Sequence, residues 1–571
     1  MKLPIAIMNY KMLKIKQLLF LFLSLCLVFS TSIQAQDNAE LEDRLKSHIE
    51  VLSSDAYEGR EAGTPGEKKS AEYISLQFEK LNLQAIAKLG FLQSFTFTYD
   101  RYFSESNKLL VGSMNLKIKE DYFPLSYSAN SSIDHETVFV GFGIHAPDLK
   151  HNDYANSIDL KDKLFVMEVG SPDGVHPHSK FIEHYDLRKK IETAISFGAK
   201  GVVFVNSDEN TESPKADLSK NVSQSSIPVV FVQGLAANFL KEKSSVKVLG
   251  VTEIKKDVRS AYNVLGYYNN SKDKTVVIGA HHDHLGYGRE GSLHAGAPEI
   301  HNGADDNASG IAMMIELARM IQVEKLDDYN YLFVGFSAEE KGLLGSKHFV
   351  DAPDFPVESI NYMINMDMVG RLKVADPALV INGVGTSPVF SDLLDEKKPD
   401  SFKLKTTESG VGPSDHTSFY LKDIPVLHFF TGTHEDYHKP SDDAHLINYD
   451  GMVDLYHYLA DIIQTLDDQE AVGFNKTDDA KNENAPRFTV TLGVIPDYTF
   501  EEEGMRIDGI RDGKPASISG LEAGDVVVQL GDIKVYDMMS YMKALSKFKK
   551  GEKTMVKVKR GEDLIESPVQ F

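Results

Sequence analysis

The chain reads as an α/β protein: a mixed, mostly parallel sheet with helices on both faces, a smaller β/α unit inserted into it, and a small mostly-β module behind it. Three observations predict this. Short apolar, β-branched runs recur at Thr275–Ile278, Tyr331–Phe336, Tyr362–Met366, Ala378–Ile381 and Val426–Phe430, with helix patterns such as Ile311–Ile321 between them. Strands alternating with helices are the pattern of a parallel sheet covered on both faces. Between residues 121 and 250 the texture changes to a compact alternation of its own. Finally, residues 468–486 are polar and acidic, as a linker is, and residues 487–571 resume with short alternating strands.

Size and charge narrow the class. At 571 residues the chain is too long for one core. Its formal net charge is −23. The first 36 residues carry four lysines and no acid, so without them the charge falls to about −27. Nucleic acid and anionic membranes both need a basic face, so neither is expected as a partner. Lys11, Lys14 and Lys16 precede the apolar run Leu18–Phe29, and Ile33-Gln34-Ala35 follows. That order reads as a signal peptide (1–35), cut after Ala35, and predicts a secreted or periplasmic protein with no stable membrane span after cleavage. Cys26, the single cysteine, lies in this leader, so disulfide and thiolate chemistry are excluded from the mature chain.

The elements follow in order. Leu41, Leu45, Ile49 and Leu52 have helical spacing, and Lys68–Leu81 resumes a helix pattern beyond the turn-rich stretch 53–66. This helix–loop–helix is expected to form a lid or an edge. In the insert, Thr137–Phe142, Leu164–Val169, Gly201–Val205 and Ile227–Val232 read as strands and Lys189–Phe197 as a helix. Its histidines, among them His135, His145 and His151, have no paired ligand spacing, so it is expected to lack catalytic groups. In the tail, Met538–Phe548 has a helix pattern.

The chemistry gathers at predicted strand ends. His281-His282-Asp283-His284 follows the first strand of the main series. Asp305-Asp306-Asn307 sits among glycines at the head of the Ile311–Ile321 helix. Ser337-Ala338-Glu339-Glu340, Asn365-Met366-Asp367-Met368 and Tyr437-His438-Lys439 each follow a strand. Any one of these has a plain reading as a loop or a helix cap. Together they place imidazole and carboxylate repeatedly at the carboxyl end of an open sheet, where such sheets build sites and where divalent metals find ligands. Ser414-Asp415-His416 cannot be a triad, because consecutive residues do not reach one another in that geometry.

These stretches resemble the M28 family of metallopeptidases. The resemblance is carried by AHHDHLG at 280–286, NGADDNASG at 302–310, SAEEKGLLGS at 337–346, NMDMVGR at 365–371, SDHTSFY at 414–420 and YHKPSDD at 437–443, and LSSDAYEGREAGTPG at 52–66 resembles the family's N-terminal segment. It implies a phosphorylase/hydrolase-like sheet formed by residues 36–120 and 251–467, and a site for two Zn2+ ions. It implies His281 as a ligand supported by Asp283, Asp305 as the carboxylate bridging both ions, Asp367 completing the ion held by His281, Glu340 and His438 holding the other, and Glu339 as general base. It also implies an unusual backbone at 304–306. His282, His284, His301, His434 and His445 are left over as neighbours. A pocket-lining role near the metals is implied for the 414–416 stretch.

The insert, 121–250, resembles a protease-associated (PA) domain through VFVGFGIHAPD at 138–148, LKDKLFVMEVG at 160–170, FGAKGVVFVN at 197–206 and SIPVVFV at 226–232. The tail, 487–571, resembles a PDZ domain through LGVIP at 492–496 and ISGLEAGDVVVQLGDIKV at 518–535, which implies a groove for an extended peptide or C-terminus. The expected activity is hydrolysis at the N-terminus of peptides. The alternatives are a carboxypeptidase or a deacylase of amino-acid conjugates using the same metal site, and a binding protein in which the metal is structural.

Overall fold

A computed structural model describes residues 36–571 apart from 156–159, 177–178, 182–183, 219–223, 353–354, 478–489, 497–499, 501, 511–513 and 536–537. The expected leader therefore lies outside the described residues. Among those described, no helix is long and apolar enough to cross a membrane. The chain divides into two compact units, residues 96–259 and the remainder.

The larger unit is built on a nine-stranded sheet in the order Gln84–Ala85, Ile254–Tyr268, Asn330–Phe336, Thr275–His281, Ile360–Met366, Val426–Phe430, Ala378–Asn382, Lys403–Thr407, with Leu92–Phe103 also pairing Ile254–Tyr268. Thr275–His281 runs parallel to both its neighbours, and Ile360–Met366 parallel to Val426–Phe430. Ile254–Tyr268 and Ala378–Asn382 join the series antiparallel. Strands 275–281, 330–336 and 360–366 are buried at every residue. Continuous apolar runs, rather than alternating ones, are what a strand covered on both faces requires. Gly310–Glu324 and Tyr449–Asp467 contribute their apolar sides to the largest core cluster. These joins, with the antiparallel pairing of Gln84–Ala85 and Ile254–Tyr268, make the sheet mixed.

The first helix, residues 36–52, is no lid. Leu41, Leu45, Ile49 and Leu52 are all buried in that same cluster, together with Ile74 and Phe78 of the helix Pro65–Lys80. Each such side chain contributes about 1.5–3 kcal/mol on burial. The loop between these helices delivers Arg60 into the interior, as described below.

The unit 96–259 has a sheet of its own, with Ser131–Phe139, Leu164–Glu168, Gly201–Val205 and Val229–Val232 as successive parallel neighbours and the helix Leu187–Ser196 packed into its core. The independent unit is wider than the 121–250 expected from texture. Among the described residues it holds no grouping of potential metal ligands.

The tail forms a sheet ordered Val494–Pro496, Met505–Ile510, Val526–Leu530, Lys553–Arg560, Asp563–Gln570 around a separate core that includes Leu492, Ile507, Val527, Tyr541 and Val556. The expected linker, 468–486, lies partly outside the described residues. Its first residues pack: Tyr329 donates to Gln469 O at 2.6 Å, Val472 N donates to Asn361 Oδ1 at 2.9 Å and Asn475 N donates to Thr386 O at 2.8 Å.

Candidate metal centre

Strand register brings the chemistry to one edge. His281 ends its strand opposite Phe336, so the following Glu339-Glu340 loop starts beside it. Asp367 follows the neighbouring strand on the other side, and His438 lies on the loop after Val426–Phe430. The turn Ala304–Ser309, at the head of the helix Gly310–Glu324, completes the cluster from above the sheet.

The geometry has two halves joined by one carboxylate. Asp306 Oδ1 lies 3.4 Å from His281 Nε2, which is 3.2 Å from Asp367 Oδ1. Asp306 Oδ2 lies 3.2 Å from His438 Nε2 and 3.7 Å from His284 Nδ1. Glu340 Oε1 lies 3.0 Å from His284 Nδ1 and 3.4 Å from His438 Nε2. The ligand atoms of His281, Asp306 and Asp367 form one group of metal-binding dimensions, and those of His284, Asp306 and Glu340 form a second.

This corrects the bridging residue. Asp305 was expected between the two halves, yet it points elsewhere. Its Oδ1 accepts from Gly370 N at 2.6 Å, and its Oδ2 faces His434 Nε2 at 3.2 Å. Its own N–H donates to Asp442, at 3.0 Å to Oδ2. Asp305 is thus a strut tying the turn to the end of strand 360–366, and the neighbouring Asp306 occupies the place between the halves. Consecutive side chains in this turn leave the backbone in different directions, so one faces the cluster and the other the scaffold. The Asp306–Asn307 peptide bond is cis, at the end of the 304–306 stretch expected to be unusual.

His284 is likewise more than a neighbour, being fully buried against Glu340 and Asp306 with Nε2 lacking a hydrogen-bond partner. The signal was its place three residues after His281, which sequence spacing alone could not orient. The other leftover histidines stay outside the cluster: His282 Nε2 is 2.9 Å from Tyr262 O, and His301 Nε2 is 2.7 Å from Ser292 Oγ.

Asp283 also differs in its detail. The acceptor nearest His281 Nδ1 is the main-chain oxygen of Asp283 at 3.1 Å, while its carboxylate is 3.8 Å away. That carboxylate instead accepts the N–H of Glu339 at 3.0 Å. Burial pushes the Asp283 carboxyl up to about 8. In the 414–416 stretch, Asp415 and His416 are fully buried, and the adjoining Val411, Gly412 and Pro413 line the cleft instead.

Glu339 and Glu340 are driven in opposite directions. Burial, with the carboxylates of Asp367, Asp415 and Glu340 adding to it against His281, raises Glu339 well above the usual carboxylate range. Burial acts on Glu340 too, but His438 and His284 outweigh it and hold Glu340 well below. Neighbouring carboxyls pushed apart in this way are suited to different tasks, one as a ligand and the other as an acid–base group. Ala338, Met368 and His438 have φ of 56°, 54° and 54°. Left-handed backbone at non-glycine residues is strained and concentrates where a site must aim side chains.

The loops are held from below by Arg60. Its fully buried guanidinium donates to Leu52 O, His282 O, Asn302 O and Gly303 O at 2.6–2.9 Å. It pins the His281–His284 and Gly303–Asp306 segments to the first helix at once.

The cluster opens into a cleft of about 440 Å³ lined by His281, Asp306, Glu339, Glu340, Asp367 and His438 on one side. Four carboxylates gathered with three imidazoles at nearly buried positions need cationic charge to be stable together. Imidazole nitrogens and carboxylate oxygens are the donor set that borderline divalent metals prefer, so the residues fit a two-metal group.

A mostly parallel sheet with a buried imidazole–carboxylate cluster at its strand ends is the construction of a metallohydrolase, and this chain is an enzyme of that class. Residues 263–463 match the model of Peptidase family M28, residues 135–240 that of the PA domain and residues 472–570 that of the PDZ domain. The chain thus carries an M28 peptidase domain together with a PA and a PDZ domain. It is 27% identical over 430 residues to Aminopeptidase YwaD of Bacillus subtilis (strain 168), covering 72% of this chain and 82% of that one. It is 23% identical over 398 residues to an aminopeptidase of Pseudomonas aeruginosa (strain UCBPP-PA14), covering 65% and 67%. Among solved structures it resembles the aminopeptidase from Aneurinibacillus sp. strain AM-1, at 24% identity and a TM-score of 0.41 over 76% of this chain and 95% of that one.

Proposed function

We propose that this protein is an exported di-zinc aminopeptidase that removes residues from the free N-terminus of peptides. The observation that carries the two-metal part is the Asp306 carboxylate, whose two oxygens face separate ligand groups. His281, Asp306 and Asp367 would hold one ion, and Asp306, Glu340 and His438, with His284 beside them, the other. When bound, such a pair polarises the scissile carbonyl and lowers the pKa of an attacking water. The N-terminal preference draws on the named relatives, which are aminopeptidases.

Glu339 is the acid–base group. Its carboxyl lines the cleft without being part of either ligand group, and its raised pKa suits it to take a proton from water and pass it to the leaving amine. Asp283 holds the Glu339 backbone in place through the 3.0 Å hydrogen bond. Export follows from the leader pattern at residues 1–35.

The test pairs substrate and variant. A peptide with a free N-terminus should be cleaved and its N-acetylated twin left intact. Glu339→Gln should keep its zinc content and lose about 10²–10⁴-fold in turnover, the usual worth of a positioned general base. Cleavage of the blocked twin in preference, or full activity in the glutamine variant, would reject this reading.

A further inference from the structure

The metal cluster forms one side of its cleft, and the PDZ domain forms part of the other. Val494 and Pro496 line the same cleft as His281, Glu339 and His438. They stand two apart on one strand, so their side chains share a face. The strand Val494–Pro496 is the terminal one of its sheet, pairing Met505–Ile510 by Val494↔Ile510 and Pro496↔Ile507. Thr433, on the loop that leads to His438, reaches Pro496 O with Oγ1 at 3.5 Å. Both stretches belong to the same compact unit.

Among the described residues this wall carries no carboxylate, lysine or arginine. Away from the cluster the described lining is apolar or uncharged, with Val380, Val411, Pro413 and Phe430 contributed by the peptidase sheet and its loops. Such a wall favours an apolar side chain and rejects a charged one, because a charge there would lose its water without gaining a partner.

We propose that Val494 is a specificity-determining residue of the peptidase: the PDZ domain supplies one wall of the pocket that receives the side chain of the substrate's terminal residue, and it restricts that residue to apolar side chains. This rests on the peptidase reading above. The domain at the C-terminal end of the chain is then part of the substrate site in cis.

The test is a charge swap read as a profile. Wild type, Val494→Asp and Val494→Lys are assayed on the p-nitroanilides of leucine, lysine and glutamate. Wild type should prefer leucine. Val494→Asp should raise the lysine-to-glutamate ratio of kcat/KM about tenfold, and Val494→Lys should lower it by a similar factor, as expected for a charge pair several ångströms apart at partial exposure. Opposite shifts from one position are a signature that partial unfolding does not produce. Val494→Phe adds a steric readout that needs no buried charge, with preference moving from leucine toward alanine. Activity with an unchanged profile in the variants that fold would overturn the proposal and leave the peptidase reading standing. No hydrolysis by wild type on any aminoacyl substrate would instead remove the peptidase reading and this inference with it.

Discussion

Asp305 and Asp306 are adjacent and chemically identical, and the structure gives them different work. Replacing each by asparagine separates the roles. Asp306 presents one oxygen 3.4 Å from His281 Nε2 and the other 3.2 Å from His438 Nε2, so its charge is shared by both ligand groups. A unit charge pair near 4 Å is worth about 4 kcal/mol at the effective dielectric of a protein site, which is about three orders of magnitude in binding. Asp306→Asn should therefore weaken zinc binding by about 10³-fold. Asp305 acts through its hydrogen bond from Gly370 N and its contact with His434. Loss of such a supporting partner costs about 10–100-fold in metal affinity or activity. The assay is zinc content after dialysis against buffers of fixed free zinc, with leucine p-nitroanilide hydrolysis measured on the same samples. An Asp305→Asn protein stripped of zinc beside an Asp306→Asn protein that retains it would refute the assignment.

Four further outcomes follow from the same geometry. Removing metal with a chelator should abolish hydrolysis and lower the thermal midpoint, and zinc should restore both, since a ligand held only by the folded state stabilises it by about 2.7 kcal/mol at a hundredfold excess over its Kd. His284→Ala should retain turnover at saturating zinc but need about 10–100-fold more free zinc to reach it, as read from a zinc titration of activity. Arg60→Lys cannot reach four carbonyls with one ammonium; it should cost about 3 kcal/mol in denaturant unfolding, since each hydrogen bond to a charged group is worth about 1.5–3 kcal/mol. Glu67 accepts from Tyr262 N and Ser337 Oγ, both at 2.9 Å, and burial pushes its carboxyl up to about 7. Its native form thus holds a proton that the unfolded chain has released between about pH 4.5 and 7, so this group makes stability fall as pH rises through that window. Glu67→Gln should flatten that slope in urea melts taken from pH 5 to 8, and an unchanged slope would show that another group sets it.

The sequence by itself determined the parts. The apolar-rich runs Thr275–Ile278, Tyr331–Phe336 and Tyr362–Met366 read as strands, the structure buries each of them at every residue, and the residues after each run lie at its carboxyl end whatever the sheet order. The sequence therefore sets His281, Glu339, Glu340, Asp367 and His438 beyond predicted strands, and packing brings them around one cleft. The presence of the three domains is legible too, because the texture changes along the chain are local. Only the tertiary structure decided what depends on direction and on distant partners. Which of two adjacent aspartates faces the cluster is set by the turn Ala304–Ser309 and by Gly370 and Asp442 holding Asp305 away from it. His284 joins the cluster because the loop beyond the strand folds back against Glu340, and Arg60 matters because four carbonyls from three segments converge on it. The approach of Val494 and Pro496 to the cleft spans more than 50 residues from His438 and leaves no trace in either stretch. Composition and periodicity record what a residue needs around it, while the identity of the neighbour is fixed only when the chain packs.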